Sequence, residues 1–305
     1  MSNMVAQRQP LPDSRWHFAH GPIDIVIGAD GEADAVRAAH EAAWQRFQPL
    51  LDELVAELPL LRQPITGFNR LRGAVARRMW RACAPFASQY ITPMAAVAGA
   101  VAQELIACYR RPGVRRAWVN NGGDIALHLV DGEQVRIGLF SDLASLDADA
   151  VLRAAQGKLA LDGQFAVHAS DRVRGVATSG WRGRSFSLGI ADSVTVLARD
   201  AAGADAAATM IANAVNVDAP GVERVPANEL RDDTDLGAIP VTVNVPPLSA
   251  AAVRHALERG EACARELQAR GKIVAAALVC QRQLGFVTAH TTVLASSLLE
   301  MAATP

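Results

Sequence analysis

Residues 117–129 read Ala-Trp-Val-Asn-Asn-Gly-Gly-Asp-Ile-Ala-Leu-His-Leu. Two short β-rich runs, AWVN at 117–120 and ALHLV at 126–130, flank an Asn-Gly pair. Asn-Gly between alternating apolar runs is the strongest short hairpin signal, because both residues tolerate positive φ. Working outward, VRIGLF (135–140), FAVHA (165–169), GVATS (175–179) and SVTVLA (193–198) are further strand-like runs. Gly, Asn and Asp separate them, the pattern of a mostly antiparallel sheet. Upstream, Ile23–Ile27 reads as a strand entered through Gly21-Pro22. Downstream, VTVNV (241–245) is a strand, and IVAAALVC and LGFVTA form a hairpin around Gln281-Arg282-Gln283.

Helical spacing appears between these groups. Ala35, Val36, Ala39, Ala43, Phe47, Leu51 and Leu54 recur near a 3.6 period, which predicts one long helix over 33–58, ending before Pro59. Residues 69–82 predict a short arginine-rich helix. Thr92-Pro93 predicts a capped helix start, with Thr92 capping and Pro93 in the first turn. The run after it is rich in Ala and Gly, so it packs closely either within the subunit or against a second copy, and a homo-oligomer stays open. Helices are also expected at 202–216 and at 248–270, the second stopping at Gly271. Strands in groups and helices in groups give an α+β fold, a mostly antiparallel sheet packed with helices. Residues 1–14 are polar and proline-spaced and are expected to be flexible, with 15–305 as a single domain. The polar stretch 220–238 is expected as a surface loop.

The chain has 305 residues, half of them hydrophobic, with 30 basic and 31 acidic residues. A net charge of −1 excludes a general nucleic-acid-coating protein. Twenty-eight of the basic residues are arginine; only Lys158 and Lys272 are lysine. Genomic bias explains most of that excess, while some arginines offer planar forks for phosphate or carboxylate. Cys83, Cys108, Cys263 and Cys280 form no Cys-x-x-Cys pair, so neither zinc nor redox chemistry is indicated. The N-terminal MSNMVAQRQPLPDSRW has no apolar core, and no run approaches the ~20 apolar residues of a membrane span. A cytoplasmic protein acting on a small molecule is expected.

Four groups of residues carry candidate chemistry. Asn121, Gly122, Gly123 and Asp124 make either a tight hairpin turn or an anion-binding nest of backbone amides. Thr178, Ser179 and Gly180, followed by Trp181 and Arg182, make either a polar strand end or a ligand wall. Asp205 and Thr209 stand at i and i+4 on one helical face. A carboxylate and a hydroxyl suit Mg²⁺, and an acid near a helix N-terminus is also favoured by the macrodipole alone. Arg62, Arg70, Arg72, Arg77, Arg78 and Arg81 form a basic group; Arg70, Arg77 and Arg81 fall near one face, as phosphate contacts or as a solvated surface. The seven histidines show no metal-ligand spacing, although His17, His20 and His128 lie near candidate segments.

Taken in order, these motifs resemble the ApbE-type superfamily, whose best-known members are FAD:protein FMN transferases. The shared elements are the Gly21–Ile27 strand and the helix after it, Val119–Ile125, Val176–Gly180, Ser193–Ala198 and Ala204–Thr209. The later segments, including Asp235–Pro240, are most similar to a cytoplasmic subgroup of methanogens and methylotrophic bacteria. The resemblance implies that Gly122-Gly123-Asp124 lines a nucleotide or flavin pocket and that Thr178–Gly180 forms its second wall. It implies that Asp205 and Thr209 help hold Mg²⁺.

The chain departs from the transferases in one segment. They carry His-Ile-(Ile/Leu)-(Asp/Asn)-Pro between the Thr-Ser-Gly wall and the next strand, whereas here only WRGRSFSLGIAD (181–192) intervenes. The family's Met-Gly-Thr is replaced by His20-Gly21-Pro22. The expectation is therefore an enzyme of cofactor biosynthesis acting on a flavin-, pterin- or nucleotide-type substrate, including the tetrahydromethanopterin type. In that reading the arginines at 62–81, or Arg182 and Arg184, take over contacts of the lost segment. Mg²⁺-dependent FMN transfer from FAD, and non-catalytic flavin or pterin binding, are the alternatives. No catalytic residue is assigned.

Overall fold

The computed structural model describes residues 5–139 and 163–288. The strands are β1 (Gln7–Leu11), β2 (Arg15–His20), β3 (Ile23–Gly31), β4 (Val114–Asn121), β5 (Asp124–Leu129), β6 (Gln134–Leu139) and β7 (Gly163–His168). They continue with β8 (Gly175–Ser179), β9 (Ser193–Ala198), β10 (Glu223–Pro226), β11 (Pro240–Asn244), β12 (Ala275–Cys280) and β13 (Gln283–Val287). The α-helices are α1 (Ala33–Phe47), α2 (Leu50–Ala56), α3 (Leu58–Leu61), α4 (Ala74–Cys83), α5 (Val97–Ile106), α6 (Ala201–Ala214), α7 (Ala227–Leu230) and α8 (Ala250–Ala269). The chain divides into two compact units, residues 1–134, 168–177 and 197–206 in the first and 135–167, 178–196 and 207–305 in the second.

In the first unit β1 to β5 pair antiparallel in chain order, and β5 then pairs antiparallel with the start of β8. The architecture is the expected α+β, with a large antiparallel sheet. The hairpin expected there forms, with its turn one residue later than the Asn-Gly pair: Asn121 pairs with Asp124 and the chain reverses through Gly122-Gly123. Helix α1 buries Val36, Ala39, His40, Ala43 and Phe47, one stripe at helical spacing. Phe47 lies 5.3 Å from Phe18 of β2, ring to ring, and Trp44 lies 5.2 Å from it. Each fully buried aromatic in such a cluster contributes roughly 1.5–3 kcal/mol through area removed from water.

In the second unit β12 and β13 form the expected hairpin. Its turn holds Gln281 and Arg282 at φ 44° and 66°, a left-handed pair without glycine. Strands β10 and β11 pair antiparallel, and Ser249 caps α8 by accepting the Ala252 amide at 3.2 Å.

Two expectations need correction. The long helix over 33–58 is broken into α1, α2 and α3. Pro49 has no amide to donate and its ring crowds the preceding turn, so α1 closes at Gln48. The stretch 220–238 contains β10 and α7 rather than loop alone. Within the N-terminal segment, Gln7–Leu11 is an edge strand. Its residues are mostly exposed, so no apolar pattern marks it. Arg8 ties it down instead, stacked over Trp16 and Trp44 at 5.5 and 5.1 Å and paired with Glu41 at 2.6 Å.

Among the described residues no helix is long and apolar enough to cross a membrane.

Candidate functional site

The first-unit group is organised by the N-terminus of α5. Thr92 accepts the Met94 amide at 3.2 Å and starts a 3₁₀ turn over Pro93–Ala96, as its sequence predicts. Helix α5 follows, with Ala96 at the N-cap. Alanine carries no side-chain acceptor, so the first amides of α5 need one from elsewhere. Asp205 supplies it: its Oδ2 accepts the Gly99 amide at 2.8 Å, and the carboxylate also accepts the Ala98 amide. Asn121, at the end of β4, donates its side-chain amide to the Ala98 carbonyl at 3.1 Å. Ala202 donates its amide to Gln103 Oε1 at 3.1 Å, one turn further along α5.

This convergence requires a glycine. A Cβ on Gly99 would lie 2.3 Å from the Ala201 carbonyl oxygen and 2.9 Å from the Asp205 Cβ. The Ala/Gly run of α5 therefore serves close packing, here against the first turn of α6. Burial pushes the Asp205 carboxyl up to about 7, against the opposing pull of the two amides.

The adjoining turn is open. Gly122 and Gly123 have φ of 67° and 108°, left-handed values that side chains resist. Asn120 Oδ1 accepts the Gly123 amide at 2.9 Å, which fixes the turn. Nothing lies within 4 Å of the Cβ position at Gly123, so the glycine answers to backbone conformation and leaves room beside it. Asp124 opens β5, half-buried.

The second-unit group is one continuous segment. Thr178 Oγ1 lies 2.9 Å from Thr195 Oγ1, so its hydroxyl is engaged across the neighbouring strand. Ser179 is half-buried at the end of β8. Gly180 sits against Asp192, whose carbonyl oxygen would be 2.3 Å from an added Cβ. The guanidinium of Arg182 stands 4.8 Å from the centre of the Trp181 ring. Thr209 is half-buried on α6, one turn after Asp205.

The chain matches the AbpE bacteria family model over residues 7–289. It belongs to this ApbE-like family. A UPF0280 protein of Methanopyrus kandleri is 37% identical over 214 residues, covering 69% of this chain and 78% of the relative. A UPF0280 protein of Methanospirillum hungatei is 36% identical over 209 residues, covering 67% and 76%. Among solved structures, the apo flavinyl transferase ApbE of Pseudomonas stutzeri aligns with 97% of this chain and 96% of its own, at 14% identity and a TM-score of 0.40.

In this ApbE-like chain the short segment 181–192 is firmly anchored. Asn213 Oδ1 accepts the Leu188 amide at 2.9 Å, and Ile190 donates its amide to the Val215 carbonyl at 2.8 Å. Asp192 accepts the Trp181 indole N–H at 3.3 Å and the Gln281 amide at 2.5 Å. Neither Asn213 nor Asp192 stands out in the sequence. Their partners are 25 and 89 residues away, so no local spacing marks them.

The arginine group is dispersed. Helix α4 starts at Ala74, which leaves Arg70 outside the face expected to join it to Arg77 and Arg81. Arg77 reaches back to the Arg72 carbonyl. Arg78 pairs with Glu104 at 2.7 Å, and Arg46 takes the other oxygen of the same carboxylate at 2.8 Å. Arg78 is thus a tie between α4 and α5. The histidines near candidate segments have structural partners: His17 pairs with Asp24 at 3.0 Å, and His128 faces the Val114 carbonyl at 3.4 Å. His290 lies outside the described residues.

Among the described residues no cluster of three or more His, Cys, Asp or Glu is placed to hold a metal ion. The donor set at Asp205 and Thr209 is two oxygens, which fits a hard cation that keeps most of its shell for waters and phosphate. A carboxylate has about four lone-pair positions. The two amides on Asp205 leave some of them over, while burial disfavours the charged carboxylate.

Proposed function

We propose that this protein is an enzyme of cofactor biosynthesis whose substrate joins a flavin-, pterin- or nucleotide-type ring to an anionic group. The observation that carries the reading is the meeting of Asn121 and Asp205 on Ala98-Gly99, beside the open Gly122-Gly123 turn. Left-handed glycines let a ligand approach the backbone and let consecutive amides face an anion. In this reading Gly122, Gly123 and Asp124 are ligand contacts offered by the first unit, and Thr178, Ser179, Gly180 and Arg182 are those offered by the second. Asp205 and Thr209 would hold Mg²⁺, whose chemistry there would be the neutralisation of phosphate charge. The methanogen relatives support a narrower version, in which the product belongs to the tetrahydromethanopterin type.

Incubation with FAD and Mg²⁺, followed by chromatography, tests the reaction class. Release of AMP together with covalent flavin would assign FMN transfer. Native mass spectrometry of the purified protein tests the substrate class. A co-purifying flavin, pterin or nucleotide supports the proposal; binding of none of these when each is added would overturn it.

A further inference from the structure

The turn between β12 and β13 holds a residue that the fold itself does not account for. Cys280 pairs with Gln283, so Gln281 and Arg282 are the two central residues, left-handed at φ 44° and 66°. A two-residue hairpin turn of this hand prefers Asn-Gly, because longer side chains crowd the left-handed backbone. Among the described residues the other non-glycine residues with positive φ are Asp13 and Ser14, both short and polar. Gln281 has a structural reason to be there. Its backbone amide donates to Asp192 at 2.5 Å, its side-chain amide donates to the Pro246 carbonyl at 2.6 Å, and its Oε1 accepts the Leu248 amide at 2.9 Å. These three bonds fasten the turn to two other segments. Arg282 has no such reason. It is exposed, and among the described residues its side chain makes no hydrogen bond or ion pair. Strain kept without a compensating contact in the fold points to a contact outside it.

The turn also stands against the second unit's candidate ligand wall. Asp192, whose Oδ2 receives the Gln281 amide, accepts the Trp181 indole N–H on Oδ1 at 3.3 Å, and its carbonyl lies against Gly180. Arg282 thus follows directly on a residue bonded to the carboxylate that braces Gly180 and Trp181. We propose that Arg282 contacts the anionic group, phosphate or carboxylate, of the ligand received at Thr178–Gly180. A guanidinium is always charged and forks onto two oxygens of either group. The bonds of Gln281 fix the backbone that carries it before any ligand arrives, so less freedom is lost on binding. The inference rests on the proposed function and deepens it, naming the residue that reads the anion.

The test uses the full-length protein, with Mg²⁺ present and again chelated, and matched probes with and without an anion: FMN and riboflavin, pterin-6-carboxylate and pterin, AMP and adenosine. In the pair that the wild-type protein binds, Arg282→Gly should weaken the anionic member about fivefold to fiftyfold, as loss of a charge-assisted hydrogen bond does. The neutral member should stay within about twofold, since it has no anion to lose. The same variant should raise the urea midpoint at unchanged slope, because glycine relieves the left-handed strain. Firmer folding together with weaker anion binding is a signature that a packing role would not produce. Arg282→Lys, which keeps both the charge and the strain, should retain part of the anion preference and leave the midpoint in place. Unchanged anion affinity in Arg282→Gly, an equal loss of both members of the pair, or a lowered midpoint would overturn the assignment of Arg282 alone. Wild-type protein that binds no member of any pair in either condition would overturn it together with the function it rests on.

Discussion

Replacing Gly99 by alanine sets two physical effects against each other. Alanine is the better helix former by about 1 kcal/mol, so propensity alone demands a more stable protein. The packing demands the reverse. The new Cβ would stand 2.3 Å from the Ala201 carbonyl oxygen and 2.7 Å from its carbon, both backbone atoms that no rotamer change can remove. Reaching an ordinary contact near 3.5 Å requires the starts of α5 and α6 to separate by about 1 Å. That stretches the 2.8 Å bond from the Gly99 amide to Asp205 out of hydrogen-bond range. Overpacking costs roughly 1–3 kcal/mol and the lost charge-assisted bond roughly 1.5–3, against the 1 kcal/mol returned. A net loss of about 1.5–5 kcal/mol is expected, read as a lower urea midpoint at unchanged slope. A neutral or stabilising Gly99→Ala would refute the close approach and, with it, the capping of α5 by Asp205.

Three further outcomes follow from the geometry. The bond from His17 to Asp24 raises the histidine above its ordinary pKa, so its small stabilising contribution is full at pH values below that ordinary value. The contribution fades as pH climbs through the raised value, and Asp24→Asn should return the His17 titration, followed by NMR, toward normal. Burial pushes the Cys280 thiol up to about 12, raises Cys108 and Cys263, and encloses Cys83. A thiol reagent at pH 8 should therefore label the native protein slowly and all four cysteines after unfolding. Arg8→Ala removes two cation–π contacts and an ion pair, and should speed amide exchange in β1 by about threefold to tenfold while leaving β4 protected.

How much of this was legible depends on whether the deciding interaction is local. The Thr92-Pro93 start and the Gln281–Gln283 hairpin are written within four residues and stand where the sequence places them, while the turn of the 117–129 hairpin falls one residue later, at Gly122-Gly123. Pro49 was equally local, but the apolar period on both sides of it masked the break. Strand β1 could not be seen through hydrophobicity, because an arginine between two indoles holds it. The role of Asp205 was hidden most completely. Its i, i+4 relation to Thr209 is visible, while the amides it caps lie 106 residues earlier, at a helix whose own N-cap is alanine. Capping across that distance depends on tertiary structure, as does the clamp of Asp192 on Trp181.

The central proposal is that Asp205 and Thr209 hold Mg²⁺ against the anionic part of a ring-bearing substrate. Calorimetric titration of FMN into the protein, with Mg²⁺ and again with the metal chelated, tests it directly. Mg²⁺ should tighten binding at least tenfold, and that gain should vanish in Thr209→Val and Asp205→Asn proteins that remain folded. Equal FMN affinity with and without Mg²⁺, or a gain that survives in both variants, would contradict it.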